Sequence, residues 1–405
     1  MICTEIIGKK SYLAQIPVSE LGGSYFCGDN LKTMELLLED YSASFDCIYL
    51  DPPFFSKRDY SAQLNSSRLE AMMVFTDKWQ EGFSSYAQAM KERLKIAYLL
   101  LKNSGSLFLH CDYRTTAFFR LTLDEIFGQE NYVNEIIWQY KTGGVPEKLG
   151  FGKKHDTIHY YVKDRNKAQF FRQKEKSYLR HKYGFSNIQV QQDEHGPYTM
   201  VNCRDVFDIP ALRGNQPERI SYPTQKPEAL LERLILATTE EGGLVGDFFA
   251  GSGTTGVVAA KNKRRWFLAD QSDYALHVFR KRLLHWQTGM PSSPYLVGRV
   301  YNQKINSAPN LSSLIELQAL TSAESKAIYT PLKSWEKLGL GDLCPDVDLI
   351  AIENQPSVKE PFCAQWLEAP EKIKEQIFKN MPEQTNCRIR LINVQGQVVE
   401  GSSII

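Results

Sequence analysis

The chain has 405 residues, with 42% hydrophobic and 23% charged residues, which is ordinary for a globular protein of two or three domains. Its net charge of +1 means that a polyanion must be bound by a local patch rather than by the overall field. No apolar run reaches the roughly 20 residues that cross a bilayer, so we expect no membrane partner. Eight scattered cysteines without a C-x-x-C pair argue against a disulfide framework and a zinc site, and they favour a reducing, cytoplasmic location.

Short apolar runs alternate with amphipathic segments in the N-terminal part of the chain. Phe45–Leu50 and Ser106–His110 are bounded by polar residues and predict strands. Apolar residues at helical spacing predict helices over Tyr86–Leu101 and Phe118–Phe127, and Asn134–Tyr140 predicts a further strand. Strands that alternate with helices indicate a parallel sheet with helices on both faces.

The pattern changes between Lys141 and about Gln216, where lysines, arginines and aromatics are frequent and periodicity is weak. We interpret this stretch as an insertion. Alternation of helix and strand then returns. Pro227–Thr238 predicts a helix and Leu244–Phe248 predicts a strand, which a glycine-rich turn follows at Ala250–Gly256. A second helix is predicted from Thr255, and a second strand at Trp266–Ala269. Met290–Pro294 has the composition of a linker, and mixed helix and strand signals follow it.

Asp51, Pro52, Pro53 and Phe54 follow directly after the strand Phe45–Leu50. The prolines have a fixed φ and no N–H, so they stiffen the turn. An ionised Asp51 and the carbonyl of Pro52 are acceptors, and two acceptors hold both protons of an amino group. That grip draws the nitrogen lone pair out of ring conjugation, while Phe54 offers a face for an extruded base. Taken alone, the run also fits a proline-rich turn with Asp51 as a cap.

A glycine-rich turn follows the strand Leu244–Phe248. Its glycines allow a tight turn and a close approach of a ligand to the backbone, and the helix beyond it presents unpaired N–H groups. Asp270 follows the next strand, where a carboxylate can accept hydrogen bonds from ribose hydroxyls, and Asp29 is placed to meet an adenine amino group. Each of these two also fits a helix cap. Without a G-x-G-x-x-G run or a Walker lysine, the turn predicts a nucleoside cofactor rather than a phosphate-rich one.

Two further groups are expected near the same cleft. His110 ends a predicted strand, and we prefer a supporting role for it to that of a general base. Asp77, Lys78 and Trp79 fit either a mobile cover over the substrate or a packed surface tryptophan.

The chain resembles the β group of bacterial and phage DNA amino-methyltransferases, in which the catalytic motif precedes the cofactor motif. Four sequence motifs in the family's order carry this resemblance, at Tyr49–Phe54, Ser106–Asp112, Tyr222–Pro227 and Asp247–Thr255. The last motif looks most like that of modification subunits from type III restriction systems. The resemblance covers about residues 24–286.

This resemblance implies S-adenosylmethionine as the cofactor and a Rossmann-like class I methyltransferase fold, α/β with a seven-stranded, mostly parallel sheet. By the same resemblance, the target base is held by Asp51, Pro52, Pro53 and Phe54. The cofactor is bound by Asp29, Thr224, Lys226, Asp247, Phe249, Gly251, Gly253, Thr254 and Asp270. Within that set Thr224 and Lys226 approach the methionine carboxylate, while Asp29 and Asp270 hold adenine and ribose. The chain departs from the family at Phe54, where Tyr is commoner, and at Asp270, where Glu is usual.

The predicted domains are a catalytic half (1–140), a target-recognition insertion (141–217), a cofactor half (218–290) and an α+β accessory domain (291–405). Basic residues of the insertion are expected to contact phosphates of double-stranded DNA. Arg204, Arg213 and Asn215 are candidates for reading base edges. The accessory domain fits DNA recognition, homodimerisation or docking of a cognate restriction subunit, and the sequence leaves these three open.

The predicted activity is methylation of adenine N6 in DNA with base flipping. Asp at the start of the catalytic motif favours adenine, because cytosine-N4 enzymes of this family more often have Ser there. Cytosine N4 stays an alternative, and RNA or a protein glutamine is a weaker one. A non-catalytic DNA-binding subunit that keeps the fold is a further alternative, which the intact Asp51 and Gly251 disfavour.

Overall fold

The computed structural model describes residues 3–5, 22–62, 72–79, 81–141, 149–178, 189–214, 216–220 and 222–286, together with strands at 295–300, 315–320, 347–354, 362–368, 386–393 and 398–404. The helices are α1 (Asn30–Tyr41), α2 (Phe83–Leu100), α3 (Thr116–Phe127), α4 (Glu228–Thr238), α5 (Thr254–Lys261) and α6 (Asp273–Trp286). Among the described residues, no helix is both long enough and apolar enough to cross a membrane.

The strands, numbered along the chain, are β1 (Cys3–Glu5), β2 (Gly23–Gly28), β3 (Phe45–Leu50), β4 (Asp59–Ala62), β5 (Met72–Thr76), β6 (Leu101–Cys111), β7 (Tyr132–Gln139), β8 (His155–Val162), β9 (Lys174–Ser177), β10 (Gln191–Asp193), β11 (Gly196–Asn202), β12 (Val206–Asp208), β13 (Leu244–Asp247), β14 (Arg265–Asp270), β15 (Tyr295–Val300), β16 (Ile315–Leu320), β17 (Val347–Asn354), β18 (Phe362–Glu368), β19 (Asn386–Asn393) and β20 (Val398–Ile404).

A mixed sheet of ten strands forms the centre of the described structure, in the order β12-β7-β8-β6-β3-β13-β14-β2-β15-β16. Only β8 and β16 run antiparallel to their neighbours in this sheet. The predicted α/β class with a mostly parallel sheet is therefore confirmed. The expected count of seven describes the stretch from β7 to β2, and β12 on one side and β15 with β16 on the other make the sheet wider.

Apolar side chains fill both faces of this sheet. Helices α1, α2 and α3 bury residues such as Met34, Leu94 and Leu123 on one face. Helices α4, α5 and α6 bury Leu234, Val257 and others on the opposite face. This two-sided burial explains the continuous apolar runs of β3 and β13, since a parallel strand inside such a sandwich has no solvated face.

The predicted strands and helices are present, and Phe45–Leu50 matches β3 residue for residue. The turn-forming residues Asn103–Gly105 are predicted from the sequence to end the helix over Tyr86–Leu101, and this is wrong, because α2 ends at Leu100 and Asn103–Gly105 lie inside β6. The pairing of β3 with β6 is irregular between Phe45 and Cys47. A Cβ at Gly105 would lie 2.8 Å from the Phe45 carbonyl oxygen, so this glycine serves a close approach of two backbones rather than a helix stop.

The stretch interpreted as an insertion contributes two strands to the central sheet. Strand β8 lies between β6 and β7, and β12 pairs with β7 at the sheet edge. Its remaining described strands, β9, β10 and β11, form a small antiparallel sheet of their own. The weak periodicity of this stretch hid β8 because that strand is buried along almost its whole length. The domain division at 140, 217 and 290 stays a prediction.

The described residues beyond 291 are strands. Strands β15 and β16 extend the central sheet, with β15 parallel to β2. Strands β17 to β20 form a second, antiparallel sheet, to which β1 from the other end of the chain adds an edge. The helices expected in the accessory domain fall outside the described residues.

Gly253 fixes the entry into α5 from the glycine-rich turn. It is left-handed, with φ of 72°, and precedes the first residue of the helix. A Cβ at this position would lie 2.2 Å from Cδ2 of Phe279, a buried residue of α6. The position therefore excludes side chains for two reasons, backbone conformation and lack of space.

We predict that Gly253→Ala lowers the free energy of unfolding by roughly 2–5 kcal/mol, the sum of left-handed strain and overpacking. Gly242→Ala is the matched control, because Gly242 also has a positive φ of 80° but no atom within 4 Å of an added Cβ. That variant should lose only roughly 1–2 kcal/mol. Equal losses in denaturant titrations of the two variants would contradict the packing role of Gly253.

Candidate active site

Strands β3, β13, β14 and β2 are parallel neighbours, so their carboxyl ends meet at one edge of the sheet. Ligands of open α/β sheets bind outside this edge. A pocket of about 350 Å³ lies there, within the size range of small-molecule sites. Its lining includes all the predicted site residues except Gly253, namely Asp29, Asp51, Pro52, Pro53, Phe54, Thr224, Lys226, Asp247, Phe249, Gly251, Thr254 and Asp270.

Asp51 and Lys226 form the ion pair that joins the two halves of the pocket. The Lys226 ammonium donates to Oδ2 of Asp51 at 2.5 Å, and both side chains are largely buried. Oδ1 of Asp51 is buried without a hydrogen-bond partner among the described residues. Lys226 was predicted to approach a cofactor carboxylate, and its contact with Asp51 was not expected from the sequence.

Phe54 contacts a cation and a histidine. The Lys226 ammonium lies 5.2 Å from the centroid of its ring. The imidazole of His110 stacks on the Phe54 ring at 5.7 Å between centroids. A ring fixed in this way forms a stable platform on which a flat ligand can stack.

His110 is the centre of a buried hydrogen-bond network behind Phe54. Its Nδ1 lies 2.7 Å from the Tyr49 hydroxyl, and its Nε2 lies 3.2 Å from Oδ2 of Asp156. Tyr140 donates to the other oxygen of Asp156 at 3.0 Å. Burial alone would raise the pKa of Asp156, but the His110 and Tyr140 hydrogen bonds and the nearby Lys226 charge lower it. His110 has both nitrogens engaged, which favours the supporting role over that of a base.

Asp77 clamps the loop that follows the catalytic run. Its buried carboxylate accepts the Ser56 N–H at 2.5 Å and the indole N–H of Trp79 at 3.2 Å. Phe55 and Lys57, on either side of Ser56, have positive φ values of 56° and 59°, which cost energy for residues other than glycine. Asp77 therefore holds a strained loop in place, and Trp79 packs edge-on against Tyr86.

Asp247 shapes the glycine-rich turn from inside the protein. Its carboxylate accepts the Phe249 N–H at 3.0 Å and the Thr255 hydroxyl at 2.5 Å. Burial raises the pKa of Asp247 to about 7, and the two hydrogen bonds only partly oppose this. Asp247, a predicted residue of the cofactor site, therefore lies beneath the glycine-rich turn and at the pocket wall.

Asp270 ends β14, and Asp29 directly follows the neighbouring strand β2. Oδ2 of Asp270 accepts the Gly251 N–H at 2.8 Å, and Oδ1 accepts the Ser272 N–H at 2.9 Å. Burial raises the pKa of Asp270, and these backbone hydrogen bonds oppose that rise. Asp29 caps α1 by accepting the Lys32 N–H at 3.0 Å. Both carboxylates therefore have structural partners while they also line the pocket.

A buried arginine ties the cofactor turn to the segment that carries Lys226. Arg282 donates to the Thr254 hydroxyl at 2.8 Å and to Glu228 at 2.9 Å. The Thr254 hydroxyl in turn donates to the Lys226 carbonyl at 3.2 Å. Thr224, two residues before Lys226, has a positive φ of 60°. These contacts fix the Thr224–Lys226 segment against the turn.

Sequence reasoning missed the aromatic cover of the pocket. Tyr60 and Phe75 of the hairpin β4–β5 stack at 4.5 Å and line it, as does Tyr222, which stacks on Tyr274. The available signal was one aromatic residue in each of these two short strands, Tyr60 in β4 and Phe75 in β5. Arg93, also in the lining, follows the helical periodicity of α2 and carried no separate signal.

Arg204 and Arg213, two of the candidates for reading DNA, are not among the residues that line this pocket. Arg204 is exposed and pairs with Glu175 at 2.7 Å, while Arg233 holds the other oxygen of Glu175 at 3.0 Å. Arg213 is exposed in the loop before α4. Asn215 falls outside the described residues. The role of these residues in base recognition stays a prediction.

The fold and the pocket together define a class I methyltransferase, with a glycine turn and an acidic, proline-containing turn at one sheet edge. The profile of the DNA methylase family, which joins the N6 and N4 enzymes, matches residues 45–281. The chain belongs to this DNA methylase family.

Three relatives illustrate the similarity. The chain is 26% identical over 260 residues to type II methyltransferase M.HpaI of Haemophilus parainfluenzae, covering 64% of this chain and 73% of that one. It is 27% identical over 226 residues to DNA adenine methyltransferase YhdJ of Escherichia coli strain K12, covering 55% and 70%. It also matches the EcoP15I Mod subunit of Escherichia coli, at 26% identity over 154 residues, 34% of this chain and 24% of that one.

Solved structures show weaker similarity. The M1.HpyAVI–SAM complex aligns with a TM-score of 0.42 and 17% identity, covering 64% of this chain and 98% of that one. The cytosine-N4-specific PvuII DNA methyltransferase aligns with a TM-score of 0.44 and 17% identity, covering 66% and 88%.

The raised pKa of Asp247 predicts a pH-dependent stability. Between its usual value of 3.8 and about 7, the folded protein holds a proton that the unfolded chain releases, so this contribution is complete at low pH and is lost as the pH rises through 7. From pH 5 to 8, wild type should lose roughly 2–3 kcal/mol relative to Asp247→Asn. Parallel denaturation curves of the two proteins at each pH would measure this, and a constant difference would exclude it.

Proposed function

We propose that this protein transfers a methyl group from S-adenosylmethionine to the N6 amino group of adenine in DNA, with the target base flipped out of the duplex. The observation that carries the proposal is the shared pocket of Asp51 and the turn at Gly251. An amino-group acceptor and a nucleoside cradle in one pocket support a direct transfer between their ligands.

The chemistry of the pocket fits both ligands. Oδ1 of Asp51 is a buried acceptor without a partner among the described residues, which suits one proton of an amino group. Gly251 leaves its backbone close to the pocket, since an added Cβ would lie 3.2 Å from the Tyr222 ring. Asp29 and Asp270 supply carboxylates at the pocket wall, as the hydroxyls and amino group of a nucleoside require.

When bound, S-adenosylmethionine supplies an electrophilic methyl group whose carbon–sulfur bond breaks as the new carbon–nitrogen bond forms. Asp51 and the Pro52 carbonyl would accept hydrogen bonds from the two amino N–H groups, direct the nitrogen lone pair and stabilise the positive charge that develops there. One amino proton would then leave by way of the Asp51 carboxylate to solvent, which gives the neutral methylamino product. Phe54 stacks on the base and fixes its plane. The acceleration comes from positioning and from electrostatics arranged before the reaction, and no nucleophilic side chain is needed.

The remaining residues would hold the cofactor. Asp29 and Asp270 bind adenine and ribose, and Thr224 and Lys226 meet the methionine carboxylate. The turn wall consists of Phe249, Gly251 and Thr254. Gly253, which is absent from the pocket lining, and Asp247, which bonds the turn from beneath, set the shape of this wall.

Adenine is the proposed base because the catalytic motif begins with Asp51, and because the relative YhdJ is named as a DNA adenine methyltransferase. For partners, we propose double-stranded DNA, contacted by the basic segment within 141–217. The similarity to the EcoP15I Mod subunit supports a cognate restriction subunit as a further partner.

We predict that Asp51→Ala lowers methyl transfer to DNA by at least about 100-fold, as expected when a preorganised transition-state contact is lost. The measurement uses tritium-labelled S-adenosylmethionine and genomic DNA, followed by mass spectrometry of the nucleosides. The product should be N6-methyladenine.

The matched control is Glu241→Ala, which removes an exposed carboxylate that pairs with Lys263, outside both the pocket lining and the segment proposed to contact DNA. It should keep full activity. N4-methylcytosine in the wild-type product would replace adenine by cytosine as the substrate. Equal labelling by Asp51→Ala and wild type would exclude the proposed catalytic role.

A further inference from the structure

Lys226 contacts two elements of the catalytic half at once. Its ammonium donates to Asp51 at 2.5 Å and lies 5.2 Å from the centroid of the Phe54 ring. Its side chain is only 11% exposed, so water screens this ion pair weakly. The residue that is proposed to meet the cofactor carboxylate therefore already holds the carboxylate that is proposed to accept the amino group.

The other cations in the pocket lining have different surroundings. Lys78 pairs with Asp59 at the rim, where its side chain is 58% exposed. Arg93 donates to Asn30 at 2.6 Å and lies 3.7 Å from Asp29, on the side of α1. Among these cations, Lys226 is the one in contact with Asp51, and its carbonyl bonds Thr254 of the cofactor turn. A ligand carboxylate that arrives beside the turn would compete with Asp51 for this ammonium.

The ion pair opposes the chemistry proposed for Asp51. Positive charge develops on an amino nitrogen as it attacks a methyl group, and a carboxylate beside it stabilises that charge. An ammonium on the same carboxylate cancels part of this stabilisation, because two cations then share one anion in a site of low exposure. Removal of the ammonium would restore the full charge of Asp51 to the amino group.

We infer that Lys226 is a shared cation that moves from Asp51 to the carboxylate of the cofactor, so that cofactor binding releases Asp51 for the target base. Lys226 is thus a positioning residue that acts through Asp51. The inference rests on the proposed function for the identity of the cofactor. It makes the two binding events interdependent: the protein without cofactor has its base-binding acceptor partly neutralised, and the loaded protein does not.

This competition has a signature in binding. Loss of the Asp51 charge should leave Lys226 free, and a ligand with a carboxylate should then bind more tightly. A ligand with the same nucleoside but no carboxylate should show no change. Coupling between sites in proteins typically amounts to about 5–150-fold in affinity.

The experiment is isothermal titration of the full chain with S-adenosylhomocysteine, which has the carboxylate, and with 5′-methylthioadenosine, which lacks it. Asp51→Asn should bind S-adenosylhomocysteine at least about fivefold more tightly than wild type, with unchanged affinity for 5′-methylthioadenosine. In a Lys226→Gln background, Asp51→Asn should give no such gain, since the double-mutant cycle removes the competed cation.

Asp77→Asn is the control, because it neutralises another acid of the pocket lining that bonds Ser56 and Trp79 instead of Lys226. It should not improve binding of the carboxylate ligand selectively. Thermal denaturation checks that every variant is folded.

The exchange is overturned by an unchanged affinity of Asp51→Asn for S-adenosylhomocysteine, by an equal gain for both ligands, or by a gain that persists with Lys226→Gln. Failure of wild type to bind either ligand would overturn the proposed function as well. Loss of methyl transfer in Asp51→Ala together with unchanged ligand affinities would reject the exchange alone and leave the proposed function standing.

Discussion

Parallel pairing of β3 with β13 is the constraint on which the site depends. Val245 lies opposite Cys47, and Gly246 lies opposite Ile48, so both strands end at the same level. A Cβ on Gly246 would come within 2.9 Å of the Phe45 ring, which shows how tightly this part of the sheet is packed. The two turns that follow these strands are distant in sequence, and this register alone makes them walls of a single pocket. A shift of one residue would turn every side chain of β13 to the opposite face.

Several carboxylates lie close together at the pocket, so their negative charges repel one another. Asp51, Asp247 and Asp270 lie close enough that the charges of Asp51 and Asp270 help to raise the pKa of Asp247, after burial. Each carboxylate has a donor that offsets part of this repulsion. The Gly251 N–H bonds Asp270, the Thr255 hydroxyl bonds Asp247 and the Lys226 ammonium bonds Asp51. An acidic pocket of this kind suits a cationic ligand, and a sulfonium cofactor is one. Because negative charge is in excess, the ammonium of the largely buried Lys226 has a large effect on the charge balance of the pocket.

The sequence predicted the strands at the site well because β3, β13 and β14 are short apolar runs between polar turns, a pattern with few alternatives. Because the predicted site residues follow these strands or lie near them, all of them except Gly253 line one pocket. Prediction from the sequence failed where tertiary contacts decide. Strand β8 carries polar and aromatic residues, such as Asp156 and His159, whose polar atoms are bonded inside the protein by residues distant in sequence, His110 of β6 and Thr116 of α3. The contact between Lys226 and Asp51 likewise depends on the path of the chain, which local pattern does not contain.

Strand β8 connects the stretch interpreted as an insertion to the residues around the catalytic run. Asp156 on β8 bonds His110 on β6, and His110 stacks on Phe54 of the catalytic run. The loop that leads into β8 also lies beside the turn that follows β6, since the Lys153 ammonium is 4.4 Å from the Tyr113 ring centroid. A residue from the stretch proposed to bind DNA thus supports the platform proposed to hold the base. If a bound duplex displaced this strand, the shift would be transmitted to Phe54 through two side chains, those of Asp156 and His110. The proposed DNA binding therefore has a short physical route to the proposed base site.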